Sequence, residues 1–264
     1  MTSAAEARKH DKDQVVSTPA RTSRRTLTGY LALPVILAAV CLAMYLWISS
    51  LELDSIEARS LNASSLAIAT WEHVQLTAVS TVITLLIAVP AGIILTRPFT
   101  GRVRPYLLTL LNLGQAVPTI AILVLLAVAW LFLGFQAAIV GLVLYAIVPV
   151  LLNTMVGLEQ VDDSILEAAR GMGYSKMGAL RKIELPLSVP IILAGVRTAL
   201  IINVGTATLA AYINAGGLGE IIVAGLSTNR VTVQIVGAAL TAVLALLIDY
   251  IAGLAEDMLR PEGL

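Results

Sequence analysis

The residue types that carry most enzyme chemistry are nearly missing from this sequence. Its two histidines, His10 and His73, and its single cysteine, Cys41, stand far apart, and none has a partner at metal-ligand spacing. No G-x-x-x-x-G-K-[ST] run occurs, so the chain has no loop of its own to cradle a nucleotide's phosphates. G-x-S-x-G and H-E-x-x-H are equally missing. These absences point to a chain that is not an enzyme and binds no metal or cofactor itself. What remains are uncharged polar side chains set in apolar sequence: Asn112 and Gln115 near Pro118, then Asn203, Thr206 and Thr208. Such groups turn away from an apolar medium toward protein or enclosed water. Two roles fit them: hydrogen bonding between helices, worth about 0.6–2 kcal/mol each, or lining a path for a polar solute. The run Gly216-Gly217-Leu218-Gly219 allows a sharp change of direction. It reads either as a gate-lining or partner-contacting loop, or as an ordinary exterior turn.

The elements that must position these residues follow from composition. The chain has 264 residues, 58% hydrophobic and 13% charged, with a mean hydropathy of +0.90. Soluble domains carry about 25% charged residues, so the lipid bilayer is the expected solvent for much of the surface. A zero net charge implies no nucleic-acid partner. About 20 apolar residues in a helix cross the hydrocarbon core. Runs of that kind occupy residues 27–48, 74–95, 107–133, 136–157, 190–211 and 231–251. An all-α integral membrane protein with about six transmembrane helices is therefore expected. The third span is overlong and interrupted by Pro118, which suggests a kink or a short helix leading into a span.

Of the 17 lysines and arginines, all but Arg59, Arg197 and Arg230 fall on one side of that arrangement. The positive-inside rule then places both termini in the cytoplasm, and His73, the only histidine near a span, reads as a polar flank at the outer interface. Residues 1–26 are polar, charged and without apolar period, the composition of a disordered cytoplasmic tail. A short cytoplasmic tail is expected over 253–264.

The only sizeable charged stretch inside the hydrophobic portion is 158–189, on the basic side. It reads as two short helices. Ser164 and Glu167 fit a capping box, Gly171 and Gly173 are stops, Ser175 caps the second helix and Pro186 ends it. A helix pair projecting from a bundle suits docking into a groove on a partner; an interfacial pair lying on headgroups has the same pattern.

Within that stretch, Glu167-Ala168-Ala169, three residues, Gly173, nine residues and Ile183-Glu184-Leu185-Pro186 resemble the EAA motif of binding-protein-dependent ABC importer permeases. Every fixed position of E-A-A, three residues, G, nine residues, I-x-L-P is met. Asn112-Leu113-Gly114-Gln115-Ala116-Val117-Pro118, Tyr145-Ala146-Ile147-Val148-Pro149, Val204-Gly205-Thr206-Ala207-Thr208-Leu209-Ala210-Ala211 and Ala215-Gly216-Gly217-Leu218-Gly219-Glu220 look like segments of the osmoprotectant permeases. Related amino-acid and methionine permeases share parts of these.

The resemblance spans 70–252 and implies a MetI-like type I transmembrane domain in the inner membrane. It implies that Glu167, Ala168, Ala169, Gly173, Ile183, Leu185 and Pro186 belong to coupling helices seated in a separate P-loop ATPase subunit, which holds the ATP. It further implies a second permease subunit, identical or not, and an extracytoplasmic solute-binding protein. The expected cargo is a glycine betaine, choline, carnitine or proline-type solute, with an amino acid such as methionine as the alternative. An ion-coupled secondary transporter is the rival class, but it favours inverted repeats and intramembrane charge, neither of which stands out.

Overall fold

The structure, a computed structural model, describes residues 27–259. The expected tail over 1–26 and the last residues of the expected tail over 253–264 lie outside them. Two compact units divide at Ile36 and Leu37. The described part of the first unit is helical throughout, residues 27–36. Apart from the start of the first helix, everything that follows concerns the second.

All regular structure among the described residues is helical. The chain runs through α1 (Leu27–Ser49), α2 (Ser55–Ser60), α3 (Ala63–Leu95), a 3₁₀ turn (Pro98–Thr100), α4 (Arg104–Gln115), α5 (Thr119–Trp130) and α6 (Phe135–Glu159). It continues through α7 (Asp163–Gly171), α8 (Lys176–Ala179), a π turn (Leu180–Glu184), α9 (Leu185–Ala207), a 3₁₀ segment (Thr208–Ile213), α10 (Leu218–Ser227) and α11 (Val231–Leu259). Among the described residues, five helical stretches are long and apolar enough to cross a membrane. The third expected span is a pair: α4 and α5 meet at a bend of 87°. Pro118 explains the break. Proline disfavours the helical conformation at the residue before it, and α4 stops at Gln115 with α5 starting just after Pro118.

Several boundaries differ from the hydropathy reading. α3 starts at Ala63, eleven residues before the apolar run, because Asn62 accepts from the Ser65 amide at 2.8 Å and caps the helix there. α2 begins on a full capping box in which Asp54 accepts from the Glu57 amide and Glu57 accepts from the Asp54 amide, each partner satisfying a free donor of the first turn. α11 runs on to Leu259.

The core of the bundle is α3, α6 and α9. Leu76, Leu123, Ala138, Leu142 and Ala207 form one buried apolar cluster, and Ala88, Ala146, Val150, Met155 and Ala199 another. Small residues let these helices approach, as helix contacts in a membrane require. At Gly195 on α9 a Cβ would sit 2.6 Å from the Asn153 Cβ of α6 and 3.0 Å from the Pro149 carbonyl oxygen. α10 and α11 form an antiparallel hairpin, with Gly225 against Gln234 and Gly237 against Ile222. Between α9 and α11, Arg197 and Asp249 make a two-pronged pair (Nη2–Oδ2 2.8 Å) with Glu256 at 3.7 Å. The intramembrane carboxylate Asp249 thus meets a basic residue, as its position near the basic end of the last span suggests.

Candidate functional site

The EAA stretch forms a helix-turn-helix at the basic end of the bundle. The cap of α7 is Asp162, not Ser164: its carboxylate accepts from the Ser164 amide at 2.7 Å. Hydrogen bonds from the Ser164 hydroxyl and amide hold the Asp162 carboxyl below its ordinary range. The expected capping box of Ser164 and Glu167 is therefore absent, because the helix starts two residues earlier than that box needs. Glu167 and Ala168 are left exposed while Ala169 is buried.

Gly173 has a structural reason to be glycine. Its φ is +85°, its amide donates to the Arg170 carbonyl at 3.0 Å, and the Tyr174 amide donates to the Ala169 carbonyl at 3.1 Å. That pair of bonds is a Schellman turn, which needs a left-handed residue at this position. Ser175 caps α8 through the Gly178 amide at 3.1 Å. Pro186, expected to end the second helix, does not. Helix continues from Lys176 to Ile213 because the π turn intervenes, with the Leu185 amide donating to the Leu180 carbonyl five residues back. A widened turn leaves room for a proline ring and drops a hydrogen bond the proline could not make. The second helix of the EAA stretch and the fifth span are thus one helix.

Glu184, the variable position inside I-x-L-P, is a residue the sequence reading passed over. It is buried, and its carboxylate accepts from both Nη atoms of Arg97 at 2.7 and 3.5 Å. Arg97 in turn donates from Nε to the Ile93 carbonyl at 3.2 Å, so the guanidinium is held to the end of α3. A cavity of about 670 Å³ opens beside this pair between α6, α7 and α8.

A second polar cluster lies toward the other end of α3. His73, expected as a polar flank at the outer interface, is fully buried. Its Nε2 lies 2.9 Å from the Val204 carbonyl and its Nδ1 3.3 Å from the Leu218 amide. The amide can only donate, so Nδ1 accepts and Nε2 carries the proton, the arrangement of a neutral imidazole. Next to it, Glu72 accepts from the Gly217 amide at 3.0 Å, and Glu220 accepts from the Gly216 amide. Residues 215–219 are buried, so the glycine run is not an exposed exterior turn but a turn docked on α3. Gly216 and Gly217 hold φ of +83° and +90°. At Gly219 a Cβ would fall 2.0 Å from the Thr208 carbonyl oxygen.

The polar residues proposed for a path turn to different partners. Asn112 and Pro118 are exposed, and Gln115 reaches from α4 to the Tyr145 carbonyl of α6 at 3.4 Å. Asn203 is fully buried and donates to Thr81 Oγ1 at 3.1 Å, which is the helix-joining role in this conformation. Thr206 and Thr208 bond carbonyls of their own segment, Ile202 at 2.8 Å and Gly205 at 2.7 Å.

Long apolar helices, a break at Pro118 and an exposed EAA stretch continuous with a span define a membrane permease subunit. Residues 88–261 match the family described as "binding-protein-dependent transport system inner membrane component", and the chain belongs to that family. It is 37% identical over 203 residues to the choline transport system permease protein OpuBB of Bacillus subtilis, covering 77% of this chain and 92% of that protein. It is 36% identical over 227 residues to the osmoprotectant import permease protein OsmY of Salmonella typhimurium, covering 86% and 94%. The carnitine transport permease protein OpuCD of Listeria monocytogenes is 36% identical over 192 residues, covering 72% and 85%. Among solved structures, a chain of the MetNI methionine ABC transporter in an inward-facing conformation superposes with a TM-score of 0.65 at 26% identity, covering 74% of this chain and 96% of that one.

Proposed function

We propose that this chain is the transmembrane subunit of an ABC importer for osmoprotectants of the glycine betaine, choline and carnitine class. Its basic end faces the cytoplasm, both termini lie there, and ATP is hydrolysed on a separate P-loop ATPase. One observation carries the reading: the EAA stretch leaves Glu167, Ala168 and Gly173 exposed on a helix pair continuous with a span. Closure of two ATPase subunits around such pairs moves α8 and α9 together and opens the bundle toward a solute-binding protein on the other side. A second permease chain completes the path, with the exposed Asn112 and the part-buried Gln115 turned toward it. Solute recognition by cation–π contact falls to the binding protein, since this chain is only 5% aromatic.

The substrate class rests on relatives named for choline, carnitine and osmoprotectant transport at 36–37% identity. Methionine transport has the weaker support of a 26% identical structural neighbour. The test is uptake of labelled betaine, choline, carnitine and methionine in cells expressing the chain with its cognate ATPase and binding protein. Betaine, choline or carnitine should accumulate, and Glu167→Arg should abolish uptake and ATPase co-purification while membrane insertion persists. Accumulation of methionine alone would overturn the substrate class. Unchanged co-purification with Glu167→Arg would remove the basis for the coupling assignment.

A further inference from the structure

Three polar ties join α3 to the helix that carries the coupling segment, and they are spread along its length. In its first half, His73 meets Val204. Further along, Asn203 donates to Thr81. Just past its end, Arg97 clasps Glu184 with two donors. A helix joined at one point can slide or swivel against its neighbour; one joined at three separated points cannot without breaking a polar contact, which is costly in a membrane. The Arg97–Glu184 tie is stiff on both sides. Arg97 is fixed to α3 through Ile93, and Glu184 is the last residue of the π turn. A buried ion pair adds little net stability over an apolar contact, so its consequence is geometric: it fixes one position of α3 against the coupling segment.

The other end of α3 holds the buried glycine turn. Glu72 and His73 are successive residues, and they bind the successive amides of Gly217 and Leu218. That turn connects the end of the fifth span to the α10–α11 hairpin. We propose that α3 is a second rod, beside the continuous helix that itself runs from Lys176 to Ile213, and that it carries movement of the coupling segment to the face of the glycine turn held by Glu72 and His73, with Arg97 as the positioning residue that makes it follow. The proposal rests on the importer reading, which supplies the movement. It assigns a role to Arg97, Glu184, Glu72 and His73, none of which belongs to the fixed positions of the EAA motif.

The test uses the complete importer, with ATPase and binding protein, reconstituted in nanodiscs. Cys41→Ser removes the chain's one thiol, and Trp71→Cys, at an exposed position on α3 beside Glu72, carries an environment-sensitive fluorophore. Uptake by this parent and its ATPase co-purification are measured first. Trapping the ATPase with ATP and vanadate should shift the parent's fluorescence. Arg97→Ala should still co-purify with the ATPase but reduce that shift roughly fivefold or more. The exchange Arg97→Glu with Glu184→Arg should restore at least half of it, which a purely structural defect would not allow. Glu184→Gln carries the same test if Arg97→Ala fails to accumulate in the membrane, and it too should reduce the shift. A full fluorescence shift in Arg97→Ala or Glu184→Gln would overturn the rod. A parent without uptake or ATPase association would instead overturn the importer reading, and the rod with it.

Discussion

Replacing His73 tests whether the buried turn depends on that imidazole. In His73→Leu the side chain keeps a similar size but loses both polar atoms. The Leu218 amide then has no acceptor in a buried site, a loss of about 1–3 kcal/mol in soluble proteins. In membranes the reference state finds other partners and single bonds average about 0.6 kcal/mol, so about 1–2 kcal/mol is expected here. His73→Ala adds a cavity of about 60 Å³, which at ~24 cal/mol per Å³ contributes about 1.5 kcal/mol more. The sum is about 3 kcal/mol. At roughly 2–4 °C per kcal/mol for a chain of this size, His73→Leu should lower the thermal midpoint by about 2–8 °C and His73→Ala by about 6–12 °C. The assay is thermal unfolding of the purified chain in detergent, followed by tryptophan fluorescence; Trp71 lies two residues away. A His73→Leu midpoint equal to the parent's would refute the reasoning, because it would mean the two imidazole contacts contribute nothing.

Further outcomes follow from other sites. Gly219→Ala places a Cβ on the Thr208 carbonyl, a backbone atom that cannot swing aside, so little folded protein should be recovered in size-exclusion chromatography; a normal monodisperse yield would contradict it. Gly173 has no neighbour within 4 Å of a Cβ, so Gly173→Ala should cost only the left-handed conformation, about 1 kcal/mol. Gly173→Asn should cost less, each read as the fall in thermal midpoint of the purified chain. Arg197→Ala removes the guanidinium from Asp249 and Glu256. With Arg197 about one-third exposed, the expected loss is about 1–3 kcal/mol rather than the larger figure for a fully buried pair, and exchanging Arg197 and Asp249 should recover part of the lost thermal stability. Asp54 is held below its ordinary range, chiefly by the Glu57 amide, with further help from Ile56 and Arg230. A depressed carboxyl contributes stability above its unfolded value and loses it as pH falls through the folded one. Asp54→Asn should therefore flatten the loss of stability in acid, seen as a smaller midpoint change below the usual carboxylate range.

Much of the fold was legible because a membrane makes the code simple. Length of apolar run sets the spans, and Pro118 marked the broken one. The EAA stretch was legible too, since its spacing is local. What stayed hidden depends on contacts between distant residues. Nothing near His73 in the chain signals Val204, which lies 131 residues away, so a buried bridging histidine read as an interfacial one. Glu184 occupies a position the motif leaves open, and its meaning comes only from Arg97, 87 residues earlier. The glycine run was ambiguous for the same reason: a turn in solvent and a turn docked on a helix need the same backbone freedom. Ser164 was misread as a cap because Asp162 and Ser164 both suit that place, and only the helix start decides between them.

The π turn at Leu180–Glu184 also sets an angle. Each residue of an α-helix advances the side chains by about 100°, and a π turn holds one residue more than an α turn. Deleting a single residue there would let the helix run unbroken in ordinary register. The exposed face of the preceding segment would then rotate by about 100° about the axis of the fifth span. Hydropathy, span count and topology would be untouched, yet Glu167 would point away from where it now lies. The spacing of nine residues between Gly173 and Ile183 is in this sense an azimuth written in chain length.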